Sequence, residues 1–217
     1  MSLDYSIVIT KFPILLEGCW VTLEISFFSL LLGMVFGTAG ALCRISSNRV
    51  LTSLAFSYVW IIRGTPLMVQ LFILYFGLPQ LGLKLDSMTA GVLGLAINTG
   101  AYVTEIIRAG IQAVDRGQME AALSVGMNYR QAMVRIIGPQ ASKICIPPLV
   151  NQFIMTLKNS SIASLVTITE LFRTGEQLIY TTFRSFEVYT AVAVLYLVMN
   201  SVFMVVADNL ERRMARQ

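Results

Sequence analysis

The sequence contains no histidine. That removes imidazole from every role it plays elsewhere: general base, metal ligand and proton relay. Charge is scarce as well, since 13% of residues are Asp, Glu, Lys or Arg against 56% hydrophobic, with a mean hydropathy of +0.71. A soluble domain carries about 25% charged residues, so the solvent read from this composition is a bilayer. The three cysteines, Cys19, Cys43 and Cys145, match no paired spacing for zinc, redox chemistry or a disulfide framework, and they read as small hydrophobes. No G-x-x-x-x-G-K-[ST] loop occurs, so nucleotide hydrolysis is not assigned to this chain. With neither a G-x-S-x-G elbow nor a metal-ligand cluster, an intramembrane hydrolase has no support. The amino terminus lacks a basic n-region and a small-residue cleavage site, so the first apolar stretch is expected to stay as an anchor. No repeat, low-complexity tract or Gly/Ser linker divides the 217 residues. One domain over 1–217 is expected, with its core at about 12–208 and no room for a soluble enzyme domain.

Crossing about 30 Å of hydrocarbon takes roughly 20 apolar residues in a helix, and five regions qualify. Span one is uncharged from Ile25 to Cys43 and continues a helix starting near Phe12. Span two, Leu51 to Gly77, is interrupted by Arg63-Gly64-Thr65-Pro66; proline lacks the backbone donor and disfavours helix at Thr65, so a broken span is expected. Span three runs from Ser87 to about Ile111, span four from Ile144 to Thr169 with Lys158 as its one charge, and span five from Val188 to Ala207. Basic residues in short loops stay on the cytoplasmic side. An external amino terminus puts ten inside, namely Arg44, Arg49, Arg108, Arg116, Arg130, Arg135, Lys143, Arg212, Arg213 and Arg216. Lys11, Lys84, Arg173 and Arg184 fall outside, and Arg63 and Lys158 are left at membrane depth. The net charge of +4 therefore follows topology, and no nucleic-acid partner is expected. Between spans four and five, Ile168 to Phe183 reads as a short amphipathic helix on the external surface.

The loop between spans three and four is strongly punctuated. Asp115 followed by Gln118 has the spacing of a capping box. Gly126 can close that short helix in the left-handed conformation. Asn128 with Gln131 repeats the cap and starts a second helix carrying Met133, Ile136 and Ile137 before Pro139. A cytoplasmic helical hairpin over about 115–139 results. Ala121 and Ala122 in its first helix would let another protein surface approach the backbone closely.

Glu120-Ala121-Ala122, then Gly126, then Ile136 and Pro139 resembles the EAA motif, E-A-A-x3-G-x9-I-x-L-P, of ABC importer permeases. Gly138 stands where that family usually has leucine, so a looser turn is expected there. The resemblance extends to Arg63-Gly64-Thr65-Pro66-Leu67, to Ala96-Ile97-Asn98-Thr99 with Ala101-Tyr102, and to Leu157-Lys158-Asn159-Ser160-Ser161. Together these are similar to the polar amino acid uptake branch, of the histidine, glutamine, arginine and cystine type. The resemblance implies an all-α integral membrane protein of five transmembrane helices, with the type I ABC importer permease fold, working as a homodimer or heterodimer in a bacterial inner membrane. It implies a coupling helix that docks into an ABC ATPase subunit through Glu120, Ala121, Ala122, Gly126, Ile136 and Pro139. It also implies an extracytoplasmic binding protein that delivers the amino acid. ATP and magnesium would be bound by the ATPase partner, and this chain would carry no cofactor and catalyse no covalent change.

A charge at a helix centre in the bilayer costs at least ~2.5 kcal/mol, so Lys158 and Arg63 need a cavity or a partner. Lys158 is well inside the expected span four, where its ammonium could hold a substrate carboxylate; the alternative is a structural pair with an acid such as Glu105. Asn98, Tyr102 and Glu105 share one face of span three, and Thr99, Ser160 and Ser161 add hydroxyls that would bind substrate or join helices. The competing functional class is an ion-coupled secondary transporter or channel, which would need membrane carboxylates for coupling; Glu105 is the acid available in a confident span.

Overall fold

The computed structural model describes the backbone of residues 3–214 and their side chains apart from 206, 208 and 210–214. Arg216 lies outside the described residues, as do the side chains of Arg212 and Arg213. The described chain is helical, with no strand. A short helix α1 (Ser6–Thr10) leads into α2 (Phe12–Arg44), followed by α3 (Arg49–Gly64), α4 (Leu67–Phe72) and α5 (Ser87–Gln112). The hairpin comprises α6 (Arg116–Ser124) and α7 (Tyr129–Ala132), and α8 (Gly138–Asn159), α9 (Leu171–Thr182) and α10 (Ser185–Met214) complete the chain.

Among the described residues, three helices are long and apolar enough to cross a bilayer: α2, α5 and residues Ser185–Val205 of α10. A fourth crossing is possible if α3 and the stretch Leu67–Leu81 count as one span, bent by 106°. The break falls where expected, with Thr65 and Pro66 both extended. The helix α8 is long enough, but Lys143, Asn151, Gln152 and Lys158, with Pro147 and Pro148 inside it, take it out of the apolar class. It also begins six residues before the expected Ile144 and ends at Asn159, where the backbone tightens into a 3-10 helix over Ser160–Val166.

A seam of small residues joins α2 to α5. Gly33 and Gly37 on α2 lie against Ala96 and Gly100 on α5, each pair spaced by four residues so that it forms one stripe, and Gly40 lies against Thr104. A Cβ on Gly33 would stand 2.9 Å from Thr99 Cγ2, and one on Gly37 would overlap Val103. The backbones approach closely enough for the Thr104 hydroxyl to donate to the Gly37 carbonyl at 3.3 Å. Tyr58 ties α3 to the same seam through a 2.6 Å bond to the Ile97 carbonyl.

The expected amphipathic helix is α9. Its buried face of Leu171 and Leu178 packs with Leu15 and Cys19 of α2 and with Val188 and Val192 of α10, while Arg173 and Glu176 pair at 3.2 Å on the other side. Its cap is not part of that polar face. Glu170 is sealed from solvent. Its carboxyl accepts the Phe172 and Arg173 N–H groups at 2.9 and 2.8 Å, the Tyr196 hydroxyl at 2.6 Å and the Thr22 hydroxyl at 3.4 Å, so α2, α9 and α10 meet on one side chain.

Candidate functional site

The hairpin is built from its caps. Asp115 accepts from the Gly117 N–H at 2.8 Å. The expected reciprocal box with Gln118 is not made; the Gln118 side-chain oxygen instead accepts from the Gln140 amide at 3.1 Å, a bond that ties the two arms together. At the end of α6, Gly126 is left-handed with φ +84°. Its N–H reaches Leu123 O at 3.0 Å and the Met127 N–H reaches Ala122 O at 3.1 Å, the two bonds of a Schellman stop. Asn128 and Gln131 make the expected box in both directions, each bond 2.9 Å.

Beyond it the helix does not stop before Pro139. Residues Met133–Ile137 widen into one π turn and run directly into α8, with the Gly138 N–H closing on Met133 O. A π turn lets the chain pass a residue that has no N–H to give. Gly138 closes this widened turn, and a Cβ there would stand 2.8 Å from Met133 O. Beneath the hairpin, Met119, Met133, Ile136 and Ile137 pack on Ile111, Val114 and Ala141. Ala122 is buried, whereas Glu120 and Ala121 are exposed. Outward face Leu123, Val125, Tyr129 and Val134, with Val125 at 75% exposure.

Lys158 lies in the last turn of α8, not in mid-helix. The charge-free run around it continues past the helix end, which is why run length misplaces it. Its side chain lines a cavity of about 330 Å³ with Ser161, Phe172, Tyr189 and Tyr196, and its ammonium has no carboxylate within ion-pair distance among the described residues. The alternative pairing with Glu105 is not made. Glu105 accepts from Arg108 at 2.7 Å and from Arg44 at 3.3 Å, joining the ends of α2 and α5.

A second cavity, of about 410 Å³, is lined by Arg44, Phe56, Trp60, Arg63, Tyr102 and Glu105, among others. The Arg63 guanidinium lies 5.1 Å from the centre of the Tyr102 ring, so these two residues are brought together and placed apart from Lys158. Ser161 Oγ donates to Lys158 O at 2.8 Å, and Ser160 Oγ, fully buried, to Leu157 O at 2.7 Å. Thr99 shares a 3.0 Å bond with Thr156 across the α5–α8 contact. Asn98 is buried and donates through Nδ2 to Gln70 Oε1 at 3.1 Å.

The sequence pattern singles out neither Gln70 nor Glu170. For Gln70 a signal exists: four residues after a proline that frees backbone carbonyls, a buried amide is a suitable donor for them. Its Nε2 serves Ile62 O at 2.7 Å and both Thr65 O and Thr65 Oγ1, at 3.1 and 2.9 Å.

A broken apolar span, an exposed hairpin tip and a lysine that lines a cavity without an acid partner are features of a membrane transport subunit. The chain belongs to the family described as binding-protein-dependent transport system inner membrane component, whose model matches residues 29–216. Among its relatives, the "Probable glutamine ABC transporter permease protein" of Bacillus subtilis (strain 168) is 42% identical over 99% of both chains. The arginine transport system permease protein of the same organism is 38% identical over 99% of this chain and 98% of that one. A crystal structure described as an amino acid ABC transporter with histidines superimposes with a TM-score of 0.94 at 43% identity, covering 98% of this chain and 100% of that chain. Family membership decides for the importer subunit over an ion-coupled carrier or channel.

Proposed function

We propose that this chain carries a polar amino acid into the cytoplasm of a bacterial cell as one of two permease subunits, driven by an ABC ATPase partner that binds ATP and magnesium. An extracytoplasmic binding protein delivers the substrate. The amino terminus lies outside, and α8 is the fourth of five crossings, with α10 the fifth; the polar residues of α8 are expected of a helix that faces an aqueous path rather than lipid. This chain supplies the path and performs no covalent step.

The observation that carries the reading is the hairpin. A left-handed glycine stop and a reciprocal cap fix its shape, and its tip presents Leu123, Val125, Tyr129 and Val134 to a partner. Exposed apolar side chains on a rigid polar-based motif suit a protein groove. Glu120, Ala121, Ala122 and Gly126 form the docking helix, while Ile136 and Pro139 belong to the arm that runs into α8.

In the membrane, Lys158 is the first substrate ligand, its ammonium holding the substrate carboxylate, with Ser161 beside it. Asn98 faces the path with its free oxygen. Thr99 and Ser160 set the walls in register, and Arg63 with Tyr102 line the second cavity along the route.

The test is uptake of glutamine and arginine by the subunit reconstituted with a cognate ATPase and binding protein. Glu120→Lys or Gly126→Val is expected to abolish ATPase docking and uptake together. Full uptake by both variants would remove the docking role.

A further inference from the structure

We infer that Gln70 is a positioning residue that fixes which atom of Asn98 meets the substrate. The inference rests on the reading above that Asn98 faces the path. Where α3 breaks at Thr65 and Pro66, backbone carbonyls lose their helical partners. Both protons of the Gln70 amide are directed there, to Ile62 O and to the Thr65 carbonyl and hydroxyl oxygens. Gln70 is nine-tenths buried and has only an acceptor left, Oε1. The Asn98 amide must therefore turn its Nδ2 toward Gln70, as it does at 3.1 Å. An asparagine amide otherwise has two nearly isosteric orientations, chosen by its neighbours.

With Nδ2 committed, Asn98 Oδ1 carries no hydrogen bond among the described residues. It is also absent from the sealed, unpartnered polar atoms found there, which are represented by Asn200 Oδ1 alone. A bare acceptor in a low-dielectric wall suits a cation, and the cation common to all amino acids is the α-ammonium. Gln70 thereby converts a two-way amide into a dedicated acceptor. An α-ammonium donates a charge-assisted hydrogen bond to that oxygen, roughly twice as strong as the neutral bond an α-hydroxyl can donate, so the site should discriminate between an α-ammonium and an α-hydroxyl.

The experiment is equilibrium binding of L-arginine, L-glutamine and their 2-hydroxy analogues to the assembled transporter in nanodiscs, without the binding protein. Asn98→Ala is expected to weaken amino-acid binding by about tenfold or more. Gln70→Leu is expected to weaken it by about tenfold and bring the amino-acid to hydroxy-acid ratio to within about twofold, because the freed Asn98 amide can then offer either end. Gln70→Glu, which in its neutral form keeps an acceptor for Asn98, is expected to restore the ratio. An assembled Gln70→Leu transporter with unchanged affinity and unchanged ratio overturns the positioning role. Unaltered binding in Asn98→Ala removes the substrate contact itself, a different result from the first. Should Gln70→Leu not assemble, Gln70→Glu decides alone: a ratio collapsed toward one refutes the role, and a retained ratio supports it.

Discussion

Glu170 offers the most quantitative test of how the helices are held together. Its two oxygens accept four donors; the Phe172 and Arg173 N–H groups have no second acceptor, whereas the Tyr196 hydroxyl also has the Thr22 and Ser160 hydroxyls beside it. Thr22 does have one, because its hydroxyl also donates to Gly18 O at 2.9 Å. Glu170→Ala therefore strands the two N–H groups and deprives Tyr196 of its 2.6 Å acceptor, each loss worth about 1–3 kcal/mol. With some relaxation around the small side chain, the net cost should be about 4–6 kcal/mol. For a domain of this size 1 kcal/mol moves Tm by about 2–4 °C, so a fall of about 10–20 °C is expected. Glu170→Gln keeps one carbonyl oxygen, which can serve the Oε2 cluster of Phe172, Tyr196 and Thr22. It loses the Arg173 bond and sets its NH2 against that N–H, and should still cost less than alanine, about 1–3 kcal/mol. The readout is thermal unmasking of Cys19, which is buried in the cluster that Leu171 shares, followed with a thiol-reactive dye in detergent. An alanine variant within about 2 °C of the parent, or a glutamine variant as damaged as alanine, would refute the reasoning.

Other expectations follow from single contacts. Lys158→Ala should weaken amino-acid binding about ten- to a hundredfold, the worth of a hydrogen bond to a charged group, in an equilibrium binding assay; unchanged affinity would place the carboxylate elsewhere. Gly37→Leu should separate α2 from α5 and cost about 1–3 kcal/mol by overpacking. Pairing it with Val103→Ala, which removes the side chain it would meet, should recover part of the lost Tm. Gly138→Leu, which installs the residue more usual in the family, should strain the π turn against Met133 O and lower uptake at constant binding. If uptake in that variant equals the parent's, the turn readily relaxes to α.

Which of these features the sequence discloses depends on how far away the deciding partner lies. The stop at Gly126, the box at Asn128 and Gln131 and the break at Pro66 are local, set by residues within a turn, and they are where the pattern puts them. Glu170 is different. Beside Arg173 and Glu176 it looks like one more polar-face residue, but Thr22 and Tyr196, 148 and 26 positions away, draw it inside. Gln70 and Asn98 are 28 positions apart, so the bond that orients Asn98 leaves no periodic trace. For Lys158 the error has another source: a run without charges measures the distance to the next charge, not to the end of the helix. Pro139 misleads because a π turn can absorb a missing donor that an α-helix cannot.

The uninterrupted passage from α7 through the π turn into α8 has a mechanical consequence. Residues Tyr129 to Asn159 form one beam about 45 Å long at 1.5 Å per residue, with the exposed tip residue Tyr129 at one end and Lys158 at the other. A tilt of about 5° at the tip sweeps the far end through about 4 Å, more than the reach of a hydrogen bond. Pro147 and Pro148, partway along, withhold two N–H groups and make a soft joint in that beam beyond the π turn, so whether a push on the tip arrives at the lysine depends on how stiff that pair is.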